Sequence, residues 1–420
     1  MAVIRIRGAR IADPGSGTLR EGDLWIRDGV FVRPMPGGEA ETTIDAAGLT
    51  AAPGLVDLHV HLRDPGLTDK EDLDSGCRAA AAGGVTSLLA MPNTRPAMDD
   101  PEVLRAFLSR AGKKEIHVYQ AAAATKGLFS ETLCDLPALQ AAGASAVSDD
   151  GFPVKTEALM RETLLRAAAL GLPVVSHCED PALIGGKMNA GPLAESLGLP
   201  GMPREAEENG IARDLALAES LGVPLHICHV STRGAVALIR SAKARGVRVT
   251  AETAPHYFAL EESLLKKRDA DYRMNPPLRT RDDVEAVIEG LCDGTLDLIA
   301  TDHAPHTPQE KADFFHAPNG SIGMETSLAA GITFLVEPGL LTLPALIEKM
   351  SLLPARILGI PAGTLLPGAP ADLVLFDQKA RWTVDPASFA GKSRNCPFKG
   401  QTLSGRVRMT IAGGKIVYSA

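Results

Sequence analysis

The chain has 420 residues, 45% of them hydrophobic and 22% charged, with 43 Lys+Arg against 51 Asp+Glu and a net charge of −8. This is the make-up of a globular protein with a large core, and it argues against a disordered or fibrous chain. The negative balance, without a basic cluster of the kind that tracks phosphates, argues against nucleic acid as a partner.

In chain order, the first fifty residues read as short strands and turns. VIRIRGARI alternates apolar and polar residues, and LWIRDGVFV carries an Asp28-Gly29 hairpin signal. Eight brief apolar runs come next: LVDLHV, GVTSLLAM, EIHVYQA, ASAVS, LPVVSH, PLHICHV, VRVTAE and LDLIAT. Segments of helical period separate them, such as TEALMRETLLRAAALG with its C-capping Gly171. After the last run, ADLVLFD and VRMTIAGGKIVYS, with a Gly413-Gly414 turn, are strands again. Eight βα units predict an α/β fold, a (β/α)8 TIM-type barrel, with a small β-sandwich module built from both chain ends. The expected boundaries are 1–52 for the N-terminal part of the module, 53–363 for the barrel and 364–420 for the C-terminal part of the module.

The six cysteines lack any C-x-x-C spacing, which suggests neither a disulfide framework nor a thiolate zinc site and fits a reducing, cytoplasmic location. The N-terminus alternates instead of running into an apolar stretch, and no run of about 18 apolar residues occurs. No export signal or membrane span is expected.

Polar residues gather where the apolar runs end: His59 and His61, Asn93, Asp149-Asp150, His177, His229, Glu252 and Asp302. In a barrel of this class the C-terminal strand ends form the rim where chemistry is built. Residues two apart on a strand share a face, so His59 and His61 project together, with Leu58, Val60 and Leu62 opposite. Paired core histidines would be the plain reading, but His177, His229, Asp302 and the SDDG carboxylates on the same rim point to a metal. Nitrogen and oxygen donors suit Zn²⁺, with Mn²⁺ or Co²⁺ as alternatives, and the ligands suffice for two ions sharing a bridging carboxylate. Arg63, at the next same-face position, fits the carboxylate of a substrate, with a surface salt bridge as the alternative. Cys178 and Cys228 should turn away from the neighbouring histidines and pack; His117 and His226 read as structural. His256, His303 and His316 read as incidental loop residues, and His306 as a member of the site.

The motifs DLHVHLRDPG, MPNTRP, SDDG, SHCED, CHVST, RMNPPLR and ATDHAPH occur in this order over almost the whole chain. In them the chain resembles the metal-dependent amidohydrolases and, within these, the dihydroorotase family of the long type with N- and C-terminal extensions. The resemblance implies two Zn²⁺, one held by His59, His61 and Asp302 and the other by His177 and His229, bridged by Asp150 and a hydroxide. Many relatives bridge with a carboxylated lysine, and Lys155 lies beyond the SDDG strand end. Substrate contacts implied by the resemblance fall on His61, Arg63, Asn93, Asn275, His306, Asn319 and Gly320. The family commonly reads Pro-Phe-Gly where this chain has Pro318-Asn319-Gly320.

The resemblance implies a cyclic amidohydrolase. It would interconvert dihydroorotate and N-carbamoyl-L-aspartate in pyrimidine biosynthesis, with Asp302 carrying the proton. The partner is then a small molecule, with a homodimer or a complex with aspartate transcarbamoylase also to be considered. An allantoinase or hydantoinase is the enzymatic alternative, against which Arg63 argues. An inactive scaffold for the transcarbamoylase is disfavoured because every ligand position is filled.

Overall fold

The computed structural model describes residues 3–34 and 40–420; the rest of the N-terminal segment, 1–2 and 35–39, lies outside the described residues. Five strands open the chain: β1 (Val3–Asp13), β2 (Thr18–Arg27), β3 (Val30–Val32), β4 (Thr42–Asp45) and β5 (Thr50–Pro53). Asp28 and Gly29, with φ of 51° and 80°, make the β2–β3 turn that the sequence signals. The alternating barrel region supplies β6 (Leu55–Val60), β7 (Val85–Ala90), β8 (His117–Ala123), β9 (Ala146–Ser148) and β10 (Val175–Ser176). A small ribbon, β11 (Met188–Asn189) with β12 (Gly201–Met202), precedes β13 (Leu225–Ile227), β14 (Val249–Thr253) and β15 (Leu298–Ile299). The chain ends with β16 (Leu373–Thr383), β17 (Thr402–Ala412) and β18 (Lys415–Ser419).

The terminal strands join into one eight-stranded sheet in the order β18-β17-β16-β5-β1-β2-β3, with β4 paired to β1. It encloses its own core of Ile6, Ile11, Ile26, Phe31, Leu373 and Ile411. Both chain ends thus build one module.

The barrel strands pair in parallel as β6-β7-β8-β9 and β10-β13-β14-β15. Two main-chain bridges connect these halves: Val147 with Val174, and Val60 with His303 just beyond β15. At the second seam His61 N donates to His303 O at 2.9 Å and His303 N to His59 O at 3.3 Å. The result is a closed (β/α)8 barrel. Its interior holds Leu58, Leu89, Met91, Ala121, Ala146, Val175, Cys228, Leu298 and Ala300. A larger core lies between the strands and the surrounding helices. Several of the helices begin on side-chain caps that satisfy their first amides, as at Asp72, Asp100, Thr156 and Thr232. Among the described residues no helix is long and apolar enough to cross a membrane.

Strict alternation fails at the most informative strand. The pairing of β6 with β7 slips between Asp57 and Val60, a bulge. Leu58 therefore faces the barrel interior, although His59 and His61 also project inward, and only Val60 and Leu62 pack outside.

Candidate active site

The bulge brings His59 and His61 to the rim, where each presents Nε2. Asp150 Oδ2 lies 3.2 Å from His59 Nε2 and 3.4 Å from His61 Nε2, and Asp302 Oδ1 lies 3.6 and 3.4 Å from the same two atoms. On the other side Asp150 Oδ1 lies 3.1 Å from His177 Nδ1 and 3.3 Å from His229 Nε2, which are 2.8 Å apart. One carboxylate divides its two oxygens between two donor groups. All six residues are buried.

These separations test the fit to a metal. Tetrahedral zinc with bonds of about 2.0–2.1 Å places its ligand atoms roughly 3.3–3.4 Å apart, close to the first set of distances. His59 Nε2 is fully buried without a hydrogen-bond partner, as a metal-facing nitrogen would be. Charge leads to the same conclusion. Burial alone would depress His59 and His177, yet Asp150 raises His59 well above its usual value, and Glu179 with Asp150 raises His177 to about 10. The pocket therefore attracts positive charge, which divalent cations supply while leaving the imidazoles neutral. Burial likewise opposes ionisation of Asp302, but the bond from His61 and the nearby His59 and His229 hold its carboxyl at about 2.

The remaining nitrogens are fixed by partners of their own. His59 Nδ1 donates to Glu252 Oε1 at 2.7 Å, His61 Nδ1 to Asn93 Oδ1 at 2.8 Å and His177 Nε2 to Glu179 Oε2 at 2.6 Å. Such bonds set the tautomer and the ring orientation of a ligand histidine. Glu252 accepts a second bond, from His226 Nε2 at 3.0 Å, and His226 Nδ1 meets Thr250 Oγ1 at 2.8 Å. Asp149 faces away and receives Ala124 N, Thr125 N and Thr125 Oγ1. Lys155 is far from the cluster, with Nζ on the Phe129 carbonyl.

His61, Arg63, Asn93, Asp150, His177, His229, Asn275, Asp302, His306, Asn319 and Gly320 all line one cavity of about 240 Å³, and His59 stands buried behind them. Arg63, His229 and Asp302 sit at φ of 59°, 35° and 48°, a left-handed backbone that non-glycine residues seldom adopt outside functional sites. The turn after Arg63 is locked by Asp64, which takes a bidentate pair from Arg110. Gly66 has φ 86°, and a Cβ there would lie 1.9 Å from the Arg95 carbonyl, so no other residue fits. Arg63 Nε donates to Pro305 O at 3.2 Å, and burial lowers its guanidinium only to about 10, which leaves it charged. His306 is held neutral, its value lowered to about 3 by burial and by Arg63, Lys311 and Lys70. Its Nε2 donates to Asn319 O at 2.9 Å, while Asn319 Oδ1 receives Arg273. Asn275 Nδ2 lies 3.5 Å from His177 Nε2.

Three readings from the sequence need correction. Cys228 packs in the barrel interior as expected, but it does not turn away from the site: its sulfur is grouped with donor atoms of His59 and Asp150. The reason is the reversal at His229, whose positive φ breaks the alternation. His303 and His256 are not loop surface but 2% and 3% exposed, His303 serving in the barrel seam. Sequence reasoning also missed the work of Glu252, Glu179 and Asn395. For Glu179 a signal existed, two residues after His177; for Glu252 only its strand-end position; for Asn395 none.

Comparison with known proteins agrees with the geometry. A family profile described as Dihydro-orotase-like matches residues 36–235. The chain is 49% identical over 419 residues to a dihydroorotase of Geobacter metallireducens, covering 98% of this chain and 99% of the relative. It is 48% identical to one of Pelotomaculum thermopropionicum, covering 98% and 97%. Among solved structures, an L-hydantoinase (dihydropyrimidinase) from Arthrobacter aurescens superposes with a TM-score of 0.88 at 27% identity, covering 100% of this chain and 96% of the other. A D-hydantoinase (dihydropyrimidinase) from Thermus sp. gives 0.87 at 25% identity, covering 99% and 95%.

Proposed function

Because the chain belongs to the dihydroorotase family, we propose that the cavity between Arg63 and Asp150 is where it interconverts dihydroorotate and N-carbamoyl-L-aspartate, a step of pyrimidine biosynthesis. The chain is a cyclic amidohydrolase, and water adds across the ring amide: the carbonyl carbon takes the oxygen and the ring nitrogen leaves with a proton. The observation that carries the assignment of the site is Asp150, one buried carboxylate shared by two donor groups in the same cavity as Arg63.

In this reading His59, His61 and Asp302 would hold one Zn²⁺, His177 and His229 would hold the other, and Asp150 would serve both groups. Two such cations, when bound, would supply Lewis-acid polarisation of the amide and a water of lowered pKa. Asp302 does the proton work. Its carboxylate, ionised at neutral pH, takes the proton of the attacking water and delivers it to the ring nitrogen; in the condensing direction it begins protonated.

Arg63 takes the ring carboxylate, a role supported by its charge, its burial and its place in the cavity. Asn93 gives its oxygen to His61, which leaves the amide NH₂ for the substrate. Asn275, His306 and the Asn319-Gly320 backbone complete the contacts, with His61 touching both metal and substrate. The Pro318-Asn319-Gly320 departure keeps the main chain in place, since the Asn319 side chain turns to Arg273. Unpaired cysteines, five of them buried, support a cytoplasmic location. Native mass measurement would decide whether copies pair or join a transcarbamoylase.

The experiment is turnover of dihydroorotate, hydantoin and allantoin by the purified protein. Activity confined to dihydroorotate is expected; faster turnover of a ring without a carboxylate would overturn the role given to Arg63.

A further inference from the structure

The connection between β16 and β17 leaves the module and lies against the barrel rim. Three successive amides of this strap meet two carboxylates: Ala390 N and Gly391 N donate to Glu325 at 3.0 and 3.1 Å, and Lys392 N to Glu71 Oε1 at 3.2 Å. Gly391 comes so close that an added Cβ would lie 3.0 Å from Glu71 Oε2. Ser393 Oγ then donates to Lys70 O at 2.7 Å. Lys70 in turn reaches Glu310 at 2.7 Å and His306 Nδ1 at 3.4 Å.

Asn395, 3% exposed, sits further along the strap, at the rim. Its Nδ2 donates to the carbonyls of Ala304 and Gly320, both at 3.1 Å, and its Oδ1 accepts His306 N at 3.2 Å. Its own carbonyl accepts Ile322 N at 3.0 Å. A carboxamide is the side chain that can give two donors and an acceptor from one plane. Ala304, His306 and Gly320 all line the cavity, and Ala304 is two residues from Asp302. The two rim segments also meet directly, where Ala304 N donates to Ser321 O at 2.8 Å and His306 Nε2 to Asn319 O at 2.9 Å. The Asn395 side chain thus bonds to both segments at once.

We propose that Asn395, delivered by the C-terminal module, is a positioning residue for substrate recognition: it fixes the two rim segments from which His306 and Gly320 meet the substrate. Through Asn395 the module then completes the substrate side of the cavity. This rests on the functional reading above.

The test is steady-state kinetics of Asn395→Ala and Asn395→Ser on dihydroorotate, beside wild type, with metal content measured on each. A KM raised tenfold or more, with kcat within threefold and metal content unchanged, is expected. Asn395→Ser, which keeps one hydroxyl for the pocket, should lie between, and it carries the test if Asn395→Ala does not fold. A wild-type KM in both variants would overturn the proposal. So would a parallel loss of kcat and metal with KM unchanged, which is the mark of a purely structural residue. A wild-type enzyme without dihydroorotate turnover would instead overturn the functional reading and this inference with it.

Discussion

Glu252 orients His59, a proposed metal ligand, without touching the cavity, so its substitution separates orientation from chemistry. Its buried carboxylate accepts from His59 at 2.7 Å and from His226 at 3.0 Å. In Glu252→Gln one oxygen remains and an NH₂ must find an acceptor. Facing His59, it would push that ring's proton onto Nε2, the metal-side nitrogen. Facing His226, it is accommodated if His226 shifts its proton to Nδ1 and donates to Thr250 Oγ1, already 2.8 Å away. The second arrangement costs less and keeps His59 aimed. The loss is then the charge assistance of one bond, about 1–1.5 kcal/mol as the difference between charged and neutral hydrogen bonds. That corresponds to metal affinity lower by about tenfold, the small end of the usual range of about 10–100-fold for such partners. Glu252→Ala leaves two buried N–H groups without acceptors, about 1–3 kcal/mol each, or about 2–6 kcal/mol of stability, and should lower metal affinity by about 100-fold or more. Chelator competition with metal quantitation, and urea unfolding of the same samples, reads both quantities. Equal losses in the Gln and Ala variants, or wild-type metal retention in Glu252→Ala, would refute the reasoning.

Asp302→Asn should keep a ligating oxygen and hold metal, yet lower kcat by about 10²–10⁴-fold for want of a proton carrier; retained turnover would remove Asp302 from that role. Arg63→Lys keeps the charge but not the two-pronged geometry, so KM for dihydroorotate should rise about tenfold, and further in Arg63→Ala, with metal content unchanged. The ion pair of His117 with Asp372, 3.2 Å across the seam between barrel and module, raises the imidazole above its ordinary 6.5. A raised value means that the stabilisation is complete below about pH 6.5 and fades as pH rises through the folded-state value. His117→Gln should therefore lose stability in urea titrations near about pH 5.5 and little near about pH 8.5; an equal loss at both would contradict the pairing.

Much of the fold was legible because βα alternation is a local signal and most of the apolar runs end on or close to a polar residue. The gathering of the candidate site was legible for the same reason: His59, His61, His177, His229 and Asp302 stand at or just beyond strand ends, and strand ends converge in a closed barrel. The bulge that lets Leu58 and His59 both face inward is a matter of pairing register, which alternation in one strand cannot reveal. The reversal at His229, which turns Cys228 into the interior, is likewise a backbone event. Glu252 carries nothing in its own neighbourhood to say that it serves His59, 193 positions away. Asn395 is harder still, because its partners belong to loops of the barrel and its own segment to the module. Long-range polar pairing is chosen by tertiary geometry, and no period in the sequence encodes it.

The central claim is that two groups of buried donors, sharing Asp150, hold metal for the hydrolysis of dihydroorotate. Its most direct test is metal quantitation of the purified protein together with a dihydroorotate assay before and after chelation. Two metal ions per chain, with turnover lost on chelation and restored by Zn²⁺, is the predicted result. Full turnover at a metal content near zero would contradict it.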